Sequence, residues 1–207
     1  MSYTVKDHIK KAKRVLEKNW TGSYTMPASS LYPHQWNWDS GFIAIGYSHY
    51  DTRRAITELT SLFKGQWKNG MLPHIVFNKD KLGQYFPEPD FWQAHLAEGS
   101  PEDILTSGIT MPPVHAMAVL KIYERAKRPE ETLDFLRWIY PKLIKMHRYF
   151  YNYRDPEGVG LACIRHPWES GMDNSPMWEK VMKSWDIPKK EIPAYERLDT
   201  KKGVSPE

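Results

Sequence analysis

Residues 39–63 read DSGFIAIGYSHYDTRRAITELTSLF. From Asp39 to Tyr50 the stretch is mostly apolar or small, with Ser40-Gly41 near its start and Ala44, Gly46 and Ser48 further on. That predicts a buried helix which its neighbours approach closely. From Asp51 to Phe63 it opens on Asp51-Thr52, a candidate N-cap, and repeats apolar residues at Ala55, Leu59, Leu62 and Phe63, the spacing of one helix face. Two helices joined end to end with little between them make a helical hairpin.

The same alternation extends outward. Tyr3 to Asn19 places Val5, Ile9, Ala12 and Leu16 on one face of a helix and its lysines on the other. Thr21 to His34 is rich in Gly, Ser and Pro and reads as loop. Gly65 to Pro89 is irregular, with a short strand at His74-Ile75-Val76-Phe77. Pro112-Pro113 opens a helix through about Ala126, and Pro129-Glu130-Glu131 opens the next through about Tyr153, which Pro141 is expected to kink or split at Tyr140. Asp155-Pro156-Glu157-Gly158 is a turn, and Asn174-Ser175-Pro176 starts a last helix ending near Trp185. Helices separated by long loops, with no run of alternating strands, predict an all-α fold of antiparallel hairpins whose chemistry sits on the loops.

Composition narrows the function. The chain has 207 residues, with 29 Lys and Arg against 25 Asp and Glu, a formal charge of +4, and 41% hydrophobic residues, which is globular in character. One cysteine, Cys163, excludes an internal disulfide framework and a Cys-rich zinc module. There is no long apolar run and the N-terminus is charged throughout, so a spanning helix and a secretory leader are not expected and a cytoplasmic setting is. The nine tryptophans sit beside carboxylates, amides and histidines, as in His34-Gln35-Trp36-Asn37-Trp38-Asp39 and Asp90-Phe91-Trp92-Gln93, whereas the basic residues cluster near the N-terminus. Such surroundings repel phosphate and suit hydroxyls, so a sugar is the expected ligand and nucleic acid is not. The alternative is that the aromatics only fill a core. No metal-ligand spacing, phosphate-binding glycine loop or nucleophile elbow is present, so neither metal nor cofactor is expected.

Two segments carry candidate chemistry. In His166-Pro167-Trp168-Glu169-Ser170-Gly171-Met172-Asp173-Asn174-Ser175-Pro176-Met177-Trp178, apolar neighbours would hold a proton on Asp173 near neutral pH, Gly171 would let a substrate approach the backbone, and Ser170 and Asn174 could orient the carboxyl. In Tyr32-Pro33-His34-Gln35-Trp36-Asn37-Trp38-Asp39-Ser40-Gly41-Phe42, Asp39 could accept two sugar hydroxyls between walls of Trp36 and Trp38. Helix capping is the competing reading of both aspartates. Gly65 to Asn78 could line the same cleft.

These segments, with Tyr85 to Trp92 (YFPEPDFW) and Thr106 to Ala116 (TSGITMPPVHA), resemble glycoside hydrolase family 63, in particular its hydrolases of mannosylglycerate and glucosylglycerate. The resemblance implies an (α/α)6 toroid of helical hairpins, present here as roughly its first half, that cleaves α-glycosidic bonds with inversion. It implies Asp173 as general acid, Tyr32, Trp36, Asn37, Trp38, Asp39, Tyr85 and Gly171 as sugar-holding positions, and Arg197 as a partner for the glycerate carboxylate. Met111 departs from the pattern, where an amide is expected before Pro112-Pro113.

An inverting glycosidase needs a second carboxylate, roughly 6.5–9.5 Å from the first, to activate water. The resemblance puts that base beyond residue 207, and Glu169 and Glu179, on the acid's own segment, are poor substitutes. The chain is therefore expected to be one domain cut before its base. It would be a truncated frame, a fragment, or half of a split enzyme whose partner chain supplies the rest; alone it is expected to be inactive and either poorly folded or associated with other copies of itself. A sugar-binding protein without catalysis is the alternative.

Overall fold

The computed structural model describes residues 4–173 and 175–184. Helix α1 (Val5–Asn19) starts from a capping box: the Thr4 side chain accepts the Asp7 amide while the Asp7 carboxylate accepts the Thr4 amide. A two-residue strand β1 (Gln35–Trp36) runs directly into α2 (Asn37–Ser48), and α3 (Thr52–Lys64) follows from an Asp51 cap that accepts the Arg54 amide at 3.0 Å. Strand β2 (Ile75–Val76) falls within the expected segment and pairs antiparallel with β1, Trp36 opposite Ile75. A single-turn α4 (Pro89–Trp92), then α5 (His115–Arg125), α6 (Leu133–Tyr153) and a short α7 (Glu179–Lys183) complete the order. The all-α reading holds, and none of the described helices is long and apolar enough to cross a membrane.

The core follows from the two helix patterns that decided the fold. Ala44 and Tyr47 of α2, Ala55, Leu59, Leu62 and Phe63 of α3, Ala118, Val119 and Ile122 of α5, and Phe135, Ile139, Leu143 and Met146 of α6 form one buried cluster. Small residues let α2 sit between α3 and α5: a Cβ on Gly41 would lie 2.7 Å from a methyl of Val114. That distance leaves no room for a larger side chain.

Two expectations need correction. Pro141 neither kinks the chain into two helices nor ends it at Tyr140; α6 runs unbroken through it. Pro141 and Arg137, whose carbonyl it leaves unpaired, are both exposed, so water can satisfy that group, while Phe135, Ile139, Leu143, Met146 and Tyr149 anchor the helix on either side. Asp39 does not cap α2 either. The helix begins two residues earlier, with Trp36 at the N-cap and no side-chain cap bond, because pairing of β1 with β2 fixes where the chain turns helical.

Behind this layer lies a set of buried polar groups. His115 is fully buried against Phe63, and its Nε2–H donates to the Asn37 carbonyl at 3.1 Å. Burial lowers its pKa to about 4, with His34 depressed to about 4 and His74 to about 3 for the same reason. Below the unfolded value near 6.5 the unfolded chain takes up protons that the folded one refuses, so stability is lost as pH falls from 6.5 towards 4. The shift of His115 corresponds to about 3 kcal/mol. His115→Gln, which keeps a donor for Asn37, is expected to make the acid limb of a urea-stability profile shallower by about one proton. An unchanged limb would contradict the buried neutral imidazole.

Candidate active site

The turn that presents Asp39 is held from behind by a carboxyl. Glu58, on the buried face of α3, accepts the Ser40 hydroxyl at 2.6 Å, the Thr25 amide at 2.8 Å and the Gln35 side-chain amide at 3.2 Å. Burial pushes its pKa up to about 7 against the pull of those donors. Sequence reasoning passed over Glu58. Its signal was a charged residue inside the apolar face made by Ala55, Leu59 and Leu62. Asn37 is buried and spends its side-chain amide on the Leu72 and Pro73 carbonyls, both at 3.0 Å, and its backbone amide on His74. Only its Oδ1 has no partner among the described residues.

Around this turn the aromatic residues gather as expected, with different duties. Trp36 is 5% exposed and enclosed by the rings of Tyr32 and Tyr85, each 5.0 Å away, and by His34 and His74. It is the backing of the wall instead of an open stacking face. Tyr32 is exposed, and its ring lies 6.1 Å from that of Tyr85. Trp38 is partly exposed and edges onto Phe42. Met111 lies in the cluster with Trp36, Ile75 and Phe77, so the position that departs from the family pattern is apolar packing.

Far along the chain, the segment bearing Asp173 folds onto this wall. Gly171, at φ +67°, is pressed on the Trp38 ring so closely that a Cβ would lie 2.4 Å from it. The glycine thus admits an indole where the sequence reading had a substrate. Asp39 and Asp173 come within electrostatic reach. Burial raises Asp39 to about 6, and the charge of Asp173 adds to the rise; burial also pushes Asp173 upward. Two carboxyls sharing a partly desolvated space retain a proton more readily than either would alone. His166 stands near Asp173 and is itself held below its usual range by burial.

The other residues of the segment have defined tasks. Ser170 does not orient Asp173: its hydroxyl donates to the Pro167 carbonyl at 2.6 Å and accepts the Met172 amide. Met172 and Met177, the apolar neighbours in sequence, are exposed, and so is Asp173 itself, so these neighbours do not enclose the carboxyl. Glu169 is buried in a two-pronged pair with Arg154 and is held below its usual pKa by that guanidinium and two backbone amides, which removes it as a candidate base. Glu179 pairs with Lys183 on α7, both side chains exposed. Asn174 and Arg197 lie outside the described residues.

Residues 32–205 match the family model described as the mannosylglycerate hydrolase MGH1-like glycoside hydrolase domain. The mannosylglycerate hydrolase of Rubrobacter radiotolerans is 50% identical over 196 residues, 95% of this chain and 44% of that protein. The glucosylglycerate hydrolase of Mycolicibacterium hassiacum is 43% identical over 96% of this chain and 45% of its own length. Among solved structures, the family 63 mannosylglycerate hydrolase of Thermus thermophilus, in complex with Tris and D-glycerate, superimposes with a TM-score of 0.81 at 47% identity, over 93% of this chain and 44% of that one. The chain thus spans less than half the length of the relatives it matches.

Proposed function

Because the chain belongs to the mannosylglycerate hydrolase MGH1-like glycoside hydrolase family, we propose that it carries the acid and sugar-holding side of an inverting α-glycosidase for small charged glycosides such as mannosylglycerate or glucosylglycerate. In this reading Asp173 gives its proton to the glycosidic oxygen as the bond to the anomeric carbon breaks. Asp39 accepts two sugar hydroxyls, and burial together with the repulsion between the two carboxyls favours a proton held on the pair. Trp38 and Tyr32 supply exposed aromatic surface for the C–H face of the ring, with Trp36 and Tyr85 behind them. Arg197 is assigned to the glycerate carboxylate by motif. A water, deprotonated by a carboxylate outside these 207 residues, on a continuing segment or another chain, attacks the opposite face.

The observation that carries this reading is the meeting of Asp39 and Asp173, from distant segments, at one aromatic-walled edge. A direct test joins the 207 residues in frame to the remaining part of the Rubrobacter radiotolerans relative and supplies mannosylglycerate and glucosylglycerate. Release of mannose or glucose is expected. A folded fusion that releases neither would contradict the proposal.

A further inference from the structure

Asp173 stands on a segment in which nearly every link is tied. At its root, the buried Glu169 carboxylate takes two guanidinium N–H groups of Arg154, at 2.5 and 2.6 Å, together with the amides of Thr110 at 3.1 Å and Arg165 at 2.8 Å. Arg154 caps the C-terminal end of α6, and its Nε donates to the Tyr149 hydroxyl at 2.8 Å. From Glu169 the chain passes through the Ser170 hydroxyl bonds and the Gly171 contact with Trp38. The Met172 carbonyl, one residue short of Asp173, is held by the Trp178 indole N–H at 2.9 Å.

A buried ion pair contributes little net stability compared with apolar residues of the same volume, whereas its fork geometry fixes position in two dimensions. This one joins the end of α6, the loop before α5 and the aspartate segment at a single carboxylate. We infer that Glu169, gripped by Arg154, is a positioning residue that holds Asp173 against Asp39. It touches no reacting atom. The inference rests on the reading of Asp173 as the acid, but its geometry can be tested without turnover.

The experiment follows the side-chain carboxyl resonances of 13C-labelled aspartates against pH in the 207-residue protein carrying Leu120→Lys and Tyr140→Lys, exposed positions changed to limit self-association, with Asp39 and Asp173 assigned from their Asn variants. With Glu169 and Arg154 in place, Asp39 is expected to titrate at about 6, well above an ordinary carboxylate. In Glu169→Gln its midpoint falls by the part of the rise that the Asp173 charge adds, the part due to burial remaining, and in Arg154→Lys, which keeps the charge and loses the fork, it falls less. Should either single variant fail to fold, the double variant Arg154→Met/Glu169→Gln leaves no buried charge unpaired and provides the folded comparison. A purely structural role would lower the melting temperature and leave both midpoints in place. Unchanged midpoints in any folded variant would overturn the inference. Loss of the glycosidase reading would show differently, as a fusion that releases no sugar while these midpoints still move.

Discussion

Asp173→Asn, placed in the fusion with the Rubrobacter radiotolerans remainder, is expected to cut kcat by roughly 10²–10⁴-fold, or about 3–5 kcal/mol of barrier, while substrate still binds. The amide keeps the shape and polarity of the side chain but has no proton to give to the leaving oxygen. Binding survives because the sugar is held by other groups, with Asp39 and the Tyr32–Trp38 surface taking hydroxyls and ring face. The split between kcat and KM is the informative part. A fall in affinity with kcat unchanged would make Asp173 a hydroxyl ligand. Near-native turnover on an unactivated glycoside would remove it from the acid role altogether.

The second large effect concerns the 207-residue polypeptide in solution. Its helices leave apolar side chains uncovered: Met117, Leu120 and Tyr123 on α5, and Leu133, Trp138, Tyr140, Ile144 and Tyr151 on α6. In the ring of hairpins that the family resemblance implies, further helices would be available to cover faces of this kind. Covering several hundred Å² of apolar surface is worth on the order of 10 kcal/mol at about 25 cal/mol per Å², comparable with the whole net stability of a domain at about 5–15 kcal/mol. The polypeptide alone is therefore expected to self-associate, and sedimentation velocity should show species larger than 24.3 kDa. Leu120→Lys with Tyr140→Lys should return it to a monomer. A stable, monodisperse monomer without those changes would show that the faces need no cover.

Much of the fold was legible because it is local. The α3 stripe and its Asp51 cap specify a helix whatever surrounds them, and the small residues of α2 announce close packing. The start of α2 was not legible, since two residues of strand exist only through pairing with Ile75–Val76, far along the chain. Pro141 misled because the cost of a proline in a helix depends on whether its freed carbonyl meets water, which only the packing decides.

The site divides in the same way. Asp39, Asp173 and the aromatic wall were marked by residue types that suit a sugar, and they come together. Asn37, Trp36 and Gly171 were marked by the same motifs, yet their atoms are used on carbonyls, on other rings and on Trp38. Residue types that suit a sugar can also serve behind the site, packing and bonding the residues that face it. Arg154, just past the end of α6, carried no local signal of its bond to Glu169.

One measurement bears most directly on whether Asp39 holds sugar and Asp173 alone handles the proton. Proton NMR of the fusion with mannosylglycerate, recorded before the released sugar equilibrates, identifies the first anomer. The account predicts the β-anomer, formed by water attacking an α-linked sugar from the face opposite Asp173. The α-anomer appearing first would contradict it. Retention would require a nucleophile about 5–5.5 Å from the acid, and Asp39, close enough to share charge with Asp173, would be that group.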